Sequence, residues 1–550
     1  MFPFALLCVV LTGQMVVAKA VAQPAAQIPS AMATEVNPVI EWNRTLLVIL
    51  RTPGAQPPAI HSTRSFAMLH AAMFDAVNAI DRTYEPYTLH LRHVSRSAST
   101  WAAADQAAHD VLVALYPSFS SPLDAELQQD LDQIPDGRRK TDGIALGEAA
   151  ATTIVALRQD DGSSQTLPPF VPKNQPGSYQ LTPPNFAPAD FTQLPRVAAF
   201  AIASADDFLP GPPPELTSDT YTASFKEVKS LGLVTSTTRT TEQTEIGKFW
   251  NGNIQDFWNE IAQAAALQHG LGLVRSAHLF AELNFALADT AIVFFHAKYT
   301  FEFWRPVTAI RAANTDGNPD TIADPNWTPL GAPADNGSGT NFTPPFPSYA
   351  SGHATFGGAL FRMMADFFGT DNIHFSFMSD EFNGITRDQN GVVRPVVTRS
   401  WDSFSQAAEE NGQSRIYLGI HWSFDKVEGI EQGTDIADYI FRHFLRGRYD
   451  GGSSQHHDYH HDVRDFGVIA GRELAYVVST TLAGPALTRV HLHRHQELEV
   501  RNDFRLDSDL TPVNLVVKVE TSHLQPTADG NPSHDLDTVF QSPDLLHIFG

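Results

Sequence analysis

The chain has 550 residues, 43% hydrophobic and 18% charged, a globular balance that excludes a disordered protein. Its formal net charge of −24 excludes a nucleic-acid backbone as the expected partner, because counterion release needs Lys and Arg. The single cysteine, Cys8, leaves disulfides no part in the fold.

The chain opens with a stretch that reads as an export signal, assigned to residues 1–22. Phe2 to Val10 form a short apolar core, and Ala18-Lys19-Ala20 and Ala20-Val21-Ala22 are both small-x-small cleavage candidates. No later run approaches the roughly 20 apolar residues of a spanning helix. The expectation is therefore a mature soluble protein, periplasmic or extracellular, with no membrane contact once the signal is removed.

Helical spacing of apolar residues dominates most of the chain. Residues 64–81, 101–117 and 143–161 are Ala-rich with an apolar stripe, and Pro117 closes the second. Residues 167–195 form a proline-rich crossing with little helix potential. Helical pattern resumes at 257–270 and continues through 275–304. Residues 314–346 read as loop, and a helix follows Ser351 to about Phe368, stopped by Gly369. Two Asn-Gly pairs in 382–397 predict a small hairpin. Residues 400–419 and 427–445 read as further helices. The fold class is mainly α, with a hairpin and a C-terminal extension. The domain reading is an N-terminal helical part (36–280), a helical core (281–448) and an extension of unknown role (449–550), in which 510–523 is the strand-like run.

Three segments carry chemistry. Lys298 and Arg305 are seven apart in "KYTFEFWRP", which on one helix places both on a single face about 10 Å apart along the axis. Cations among that many aromatics are expensive to bury unless an anion meets them. In "PPFPSYASGHATFGGALF", Ser351 is a good N-cap and Gly352 permits close backbone approach. The helix start after them is positive, so the Ser351 hydroxyl and the Gly352 amide can both donate to an oxyanion, with His353 beside it to move a proton. In "SRIYLGIHWSFD", His421 and Asp425 are four apart, which on a helix lets the carboxylate fix one ring nitrogen and frees the other. Arg415 adds a planar cation. Each segment alone has an ordinary explanation: snorkelling surface cations, a capped helix with an incidental histidine, or a helix-surface His–Asp pair. Together, three cations, a helix N-terminus and two histidines point to an oxyanion cradle.

These segments resemble the signature shared by the vanadium-dependent haloperoxidases and the type 2 phosphatidic-acid phosphatases. That signature has a Lys and an Arg-Pro with six residues between, then Pro-Ser-Gly-His, then Ser-Arg, five residues, His, three residues, Asp. It reads here as Lys298, Arg305-Pro306, Ser351-Gly352-His353, Ser414-Arg415, His421 and Asp425, with Ala350 in place of the proline. The flanking residues are similar to the chloroperoxidase-type branch, over roughly 36–448 and most strongly 280–445. The resemblance implies two four-helix bundles and the cofactor vanadate, bonded axially by His421. Lys298, Arg305, Ser351, Gly352 and Arg415 would hold its oxygens, His353 would be the acid–base group, and Asp425 would orient His421. Phe346, seven before His353, matches an aromatic position near the halide site. Hydrogen peroxide and halide are the implied substrates, with an organic acceptor and a homodimer as further expectations.

Two other readings stay open: a secreted acid phosphatase with His421 as phosphoryl nucleophile, and a non-catalytic oxyanion-binding module. The His-rich stretches 456–462 and 491–495 read as solvated loops, and His70, His109 and His296 as ordinary packing or hydrogen-bonding residues.

Overall fold

The computed structural model describes residues 36–57, 61–91, 93–252, 254–334 and 340–448, together with the backbone of two short strands further on. Residues 1–35, which include the expected export signal and Cys8, lie outside the described residues, as do 456–462, 493–495 and 510–523. The chain divides into two units, Met1–Ser453 and Ser454–Gly550.

The first unit is helical. α1 (Pro38–Arg51) begins with Asn37 accepting from the Val39 amide at 3.1 Å and with proline at its first position. α2 (Ser62–Asp81), α3 (Thr100–Leu115), α4 (Ser120–Asp132) and α5 (Arg138–Leu157) follow. α5 lies almost backbone-to-backbone on α3: a Cβ at Gly143 or Gly147 would stand 2.4 Å from the Ser99 carbonyl or 2.6 Å from that of Ala103. After the proline-rich crossing come α6 (Asp219–Leu231), α7 (Thr241–Phe249) and α8 (Ile254–Gln268). α1, α4, α6 and α7 are not among the helices expected from the sequence; α4, α6 and α7 bury only a few residues each, whereas α1 buries nine of its fourteen.

α9 (Leu273–Phe301) is the central helix, buried nearly all round. Contrary to expectation, it is long and apolar enough to cross a membrane, yet its most apolar stretch is wholly buried inside the protein. It packs against α2 on one side. On the other it meets α11 (Gly352–Phe368) and α13 (Ser423–His443), which follow the short α10 (Pro306–Arg311). α2, α3 and α5 pack on one another and reach α9 through α2; α11, α13 and α12 (Phe404–Tyr417) pack on one another and reach α9 through α11 and α13.

The hairpin exists but is displaced. β1 (Phe375–Asn383) pairs antiparallel with β2 (Val396–Trp401), Phe375 opposite Trp401. The Asn-Gly pairs lie in the connection, where Gly384 and Gly391 supply φ of 77° and 81°. In the second unit, β3 (Thr488–Leu492) pairs antiparallel with β4 (Gln496–Val500), where the sequence suggests loop around 491–495.

The closest helix contact is α11 on α13. A Cβ at Gly433 would lie 2.0 Å from the Thr355 carbonyl, one at Gly358 2.3 Å from that of Ile430, and one at Gly429 2.9 Å from that of Ser351. Gly433→Ala is therefore predicted to destabilise the protein. Helix propensity alone favours alanine by about 1 kcal/mol, whereas overpacking costs about 1–3 kcal/mol and more when backbone must move. Denaturant unfolding checks the sign; a variant as stable as the parent would contradict this packing.

Candidate active site

The last turn of α9 carries Lys298. The sequence predicts one helix face for Lys298 and Arg305, but the helix ends at Phe301, and Glu302 turns left-handed with φ 48°. The proline-rich crossing straps this corner: the Tyr179 amide donates to the Glu302 carbonyl at 2.6 Å, and the Trp304 amide to that of Gly177 at 2.9 Å. Arg305 thus sits at the N-cap of α10 and reaches the same place as Lys298 by a different route.

Both cations are fully buried. The Lys298 ammonium donates to the carbonyls of Pro347, Ser348 and Ala350 at 3.1, 2.8 and 2.5 Å. Arg305 donates through Nε to the Phe346 carbonyl at 2.8 Å and through Nη1 to that of Ile420 at 2.8 Å. The same Nη1 lies 2.9 Å from His421 Nε2. The Phe346 ring is 4.9 Å from the Arg305 guanidinium carbon and 5.2 Å from the Lys298 nitrogen, a cation–π contact with each. Burial, then the Arg305 charge, pushes the Lys298 amine well down; burial pulls Arg305 down to about 10.

Ser351 occupies the N-cap of α11, as expected, but its hydroxyl makes no capping bond. That oxygen is buried and finds no hydrogen-bond partner among the described residues, and the same holds for Arg305 Nη2 and His353 Nε2. The Ser351 amide donates instead to the Asp425 carbonyl at 3.0 Å. Gly352 opens α11, and a Cβ there would press the Phe294 ring at 3.1 Å. His353 is half-buried in the first turn, its carbonyl held by Asn411 Nδ2 at 2.6 Å. Burial and the charges of Arg415, Lys298 and Arg305 push its imidazole well below the usual range.

His421 and Asp425 do not form a within-helix pair. His421 precedes α13, and Asp425 lies in its first turn and reaches back. Asp425 Oδ2 accepts from His421 Nδ1 at 2.8 Å, from the Trp422 amide at 3.2 Å and from the Ser348 hydroxyl. A carboxylate only accepts, so Nδ1 carries the proton and Nε2 presents its lone pair. Burial, then Arg305, Lys298, Arg415 and His353, pushes the His421 imidazole well down, so it is neutral. Burial raises Asp425 to about 6, opposed by the Ser348 hydrogen bond and the Lys298 charge. Arg415, buried on α12, donates to the Trp250 carbonyl and to Asn251 Oδ1, both at 3.3 Å.

The structure thus brings together Lys298, Arg305, Phe346, Ser351, Gly352, His353, Arg415, His421 and Asp425. Sequence reasoning misses Ser348, Trp250, Asn251 and Asn411, which touch these residues from segments far apart in the chain. His70 bonds Asn43 at 2.8 Å, His109 meets Asp110 and Asp124 at 2.8 and 2.9 Å, and His296 bonds Asp206 at 2.6 Å. All three are ordinary hydrogen-bonding residues.

Three buried cations face one buried carboxylate whose Oδ2 is already engaged, so the site carries excess positive charge. No group of three or more His, Cys, Asp or Glu suited to a metal ion occurs among the described residues. A bare cation does not fit this donor set; an anion rich in oxygen, with a central atom able to take one imidazole, does.

A helical-bundle protein with three buried cations gathered around a histidine is the class this fold and site define. Residues 278–448 match the family model of the second helical-bundle domain of vanadium chloroperoxidase (VCPO). Vanadium chloroperoxidase of Curvularia inaequalis is 30% identical over 491 residues, covering 71% of this chain and 79% of that protein. A bacterial vanadium-dependent iodoperoxidase superposes with a TM-score of 0.58 at 25% identity, covering 75% of this chain and 96% of that one. A holo-type bacterial vanadium-dependent chloroperoxidase shares the fold at a TM-score of 0.55 and 17% identity, covering 74% of this chain and 97% of that one. The chain belongs to the vanadium-dependent haloperoxidase family, in its chloroperoxidase-type branch, and is an enzyme.

Because the Ser351 hydroxyl bonds nothing among the described residues, Ser351→Ala is predicted to leave the melting temperature of the ligand-free protein unchanged. Its affinity for orthophosphate or orthovanadate falls about tenfold or more, the worth of one hydrogen bond to a charged group. Calorimetric titration beside thermal melting checks both halves; an unchanged affinity would remove Ser351 from the cradle.

Proposed function

We propose that this protein is a vanadium-dependent haloperoxidase that uses hydrogen peroxide to oxidise halide. The observation that carries the reading is the neutral His421, its Nδ1 proton fixed by Asp425 and its Nε2 lone pair turned into a nest of buried cations. Lys298, Arg305, Arg415, the Ser351 hydroxyl and the Gly352 amide would hold the oxygens of vanadate, and His421 Nε2 would bond its metal. Bound there, vanadium(V) supplies a Lewis acid that polarises peroxide without changing oxidation state.

The chain's own residues do the rest. His353 Nε2, neutral and unpartnered within the described residues, takes a proton from the incoming peroxide and returns it to the departing oxygen. The overall reaction balances as hydrogen peroxide, halide and a proton giving hypohalous acid and water. Phe346, stacked over Lys298 and Arg305, screens those charges from water and offers an apolar wall to a weakly hydrated halide. Export after removal of residues 1–22 is part of this reading, supported by the apolar core and small-x-small sites at the start of the sequence.

The test is oxidation of chloride, bromide and iodide by purified protein with peroxide, before and after vanadate. Wild type is predicted to brominate a phenolic dye only once vanadate is added, and His421→Ala to fall to the background of free vanadate. Turnover of nitrophenyl phosphate that vanadate inhibits, without halide oxidation, would assign the same residues to a phosphatase instead.

A further inference from the structure

Ser348 lies three residues before Ser351 and is fully buried. Each of its polar atoms is engaged. Its amide donates to the Phe303 carbonyl at 2.9 Å, two residues from Arg305, and its carbonyl accepts from Lys298 at 2.8 Å. Its hydroxyl donates to Asp425 Oδ2 and lies 3.3 Å from His421 Nδ1.

We propose that Ser348 is a positioning residue for His421, acting through Asp425 to hold the imidazole in the one orientation and tautomer that can bond a metal oxyanion. The inference rests on the reading that vanadium bonds His421 Nε2. A serine hydroxyl has one proton, and here it goes to Asp425, so the oxygen turns only lone pairs toward Nδ1. Nδ1 therefore faces two acceptors, Asp425 Oδ2 and Ser348 Oγ, and no donor. The alternative tautomer, with a bare Nδ1, would set lone pair against lone pair at both. The hydroxyl also keeps the buried carboxylate supplied with a donor independent of the histidine, so Asp425 stays aimed when His421 shifts onto a metal. Partners of this kind tune both the aim and the basicity of a ligating histidine.

Vanadate and phosphate separate this role from a merely structural one. Both anions need the cations, Ser351 and the helix amides; vanadate alone also gains a bond to His421 Nε2. If Ser348 acted only through its carbonyl on Lys298, or through the fold, its replacement would weaken both anions alike. The experiment is calorimetric titration of orthovanadate and of orthophosphate into wild type, Ser348→Ala and Ser348→Cys, with thermal melting of each. Vanadate affinity is predicted to fall roughly tenfold to a hundredfold in Ser348→Ala, with phosphate affinity changing less than about threefold. Ser348→Cys, a weaker donor of similar shape, falls between. Equal losses for both anions, or no loss of vanadate affinity in a folded Ser348→Ala, would overturn the inference and leave the metal-bond reading standing. A wild type that binds vanadate no more tightly than phosphate would overturn that reading and the inference with it.

Discussion

The structure depends on the close approach of α11 and α13. Glycines at 358, 429 and 433 let the two backbones touch, and no side chain intervenes. That contact is what joins the site's halves. α11 brings Ser351, Gly352 and His353; the turn before α13 brings His421, and its first turn brings Asp425. The Ser351 amide bonds the Asp425 carbonyl directly, so the start of α11 is fastened to the element that aims His421. α9 completes the arrangement by delivering Lys298 beneath the 347–350 loop. Side chains carried on helix backbones and short tight loops are held in fixed mutual positions, which is the condition for electrostatic stabilisation without reorganisation.

The second constraint is charge. Removing an ion from water costs several kcal/mol even after the protein relaxes, and Lys298, Arg305 and Arg415 are all buried within one small region. Lys298 is met by neutral carbonyls, and Arg305 by carbonyls and an imidazole. Such contacts satisfy hydrogens but leave charge uncompensated, and the downward pressure on Lys298, His353 and His421 records the same imbalance. A bound oxyanion reverses it, favouring the charged form of each basic group. The fold holds these charges in place through the hydrogen bonds of Ser348, Asn251 and Asn411 around them.

Much of this is legible in the sequence, for reasons that differ from residue to residue. α9 and α11 announce themselves because buried helices are apolar all round, and the site residues because oxyanion chemistry needs cations, a helix start and a histidine with a carboxylate at short spacing. The turn at Glu302 gives no signal: the aromatic pattern runs straight through it, and a left-handed glutamate has neither glycine nor proline to mark it. Asn37-Pro38 and the Thr240–Gln243 capping box do mark α1 and α7, but apolar spacing outweighs caps in placing helices. Whether the Ser351 hydroxyl caps its helix or stands free is decided by a neighbouring segment, not by the serine. Ser348 and Asn251 are invisible for the same reason, since their partners lie 77 and 164 residues away.

The central claim is that His421 Nε2, held by Asp425 within these cations, is the single protein atom to bond the metal of a captured oxyanion. X-ray absorption of the vanadate-loaded protein measures it most directly. One nitrogen neighbour of vanadium, present in wild type and in His353→Ala but gone in His421→Ala, is the predicted result. A shell of oxygen alone in wild type, or a nitrogen that survives the loss of His421, would contradict it.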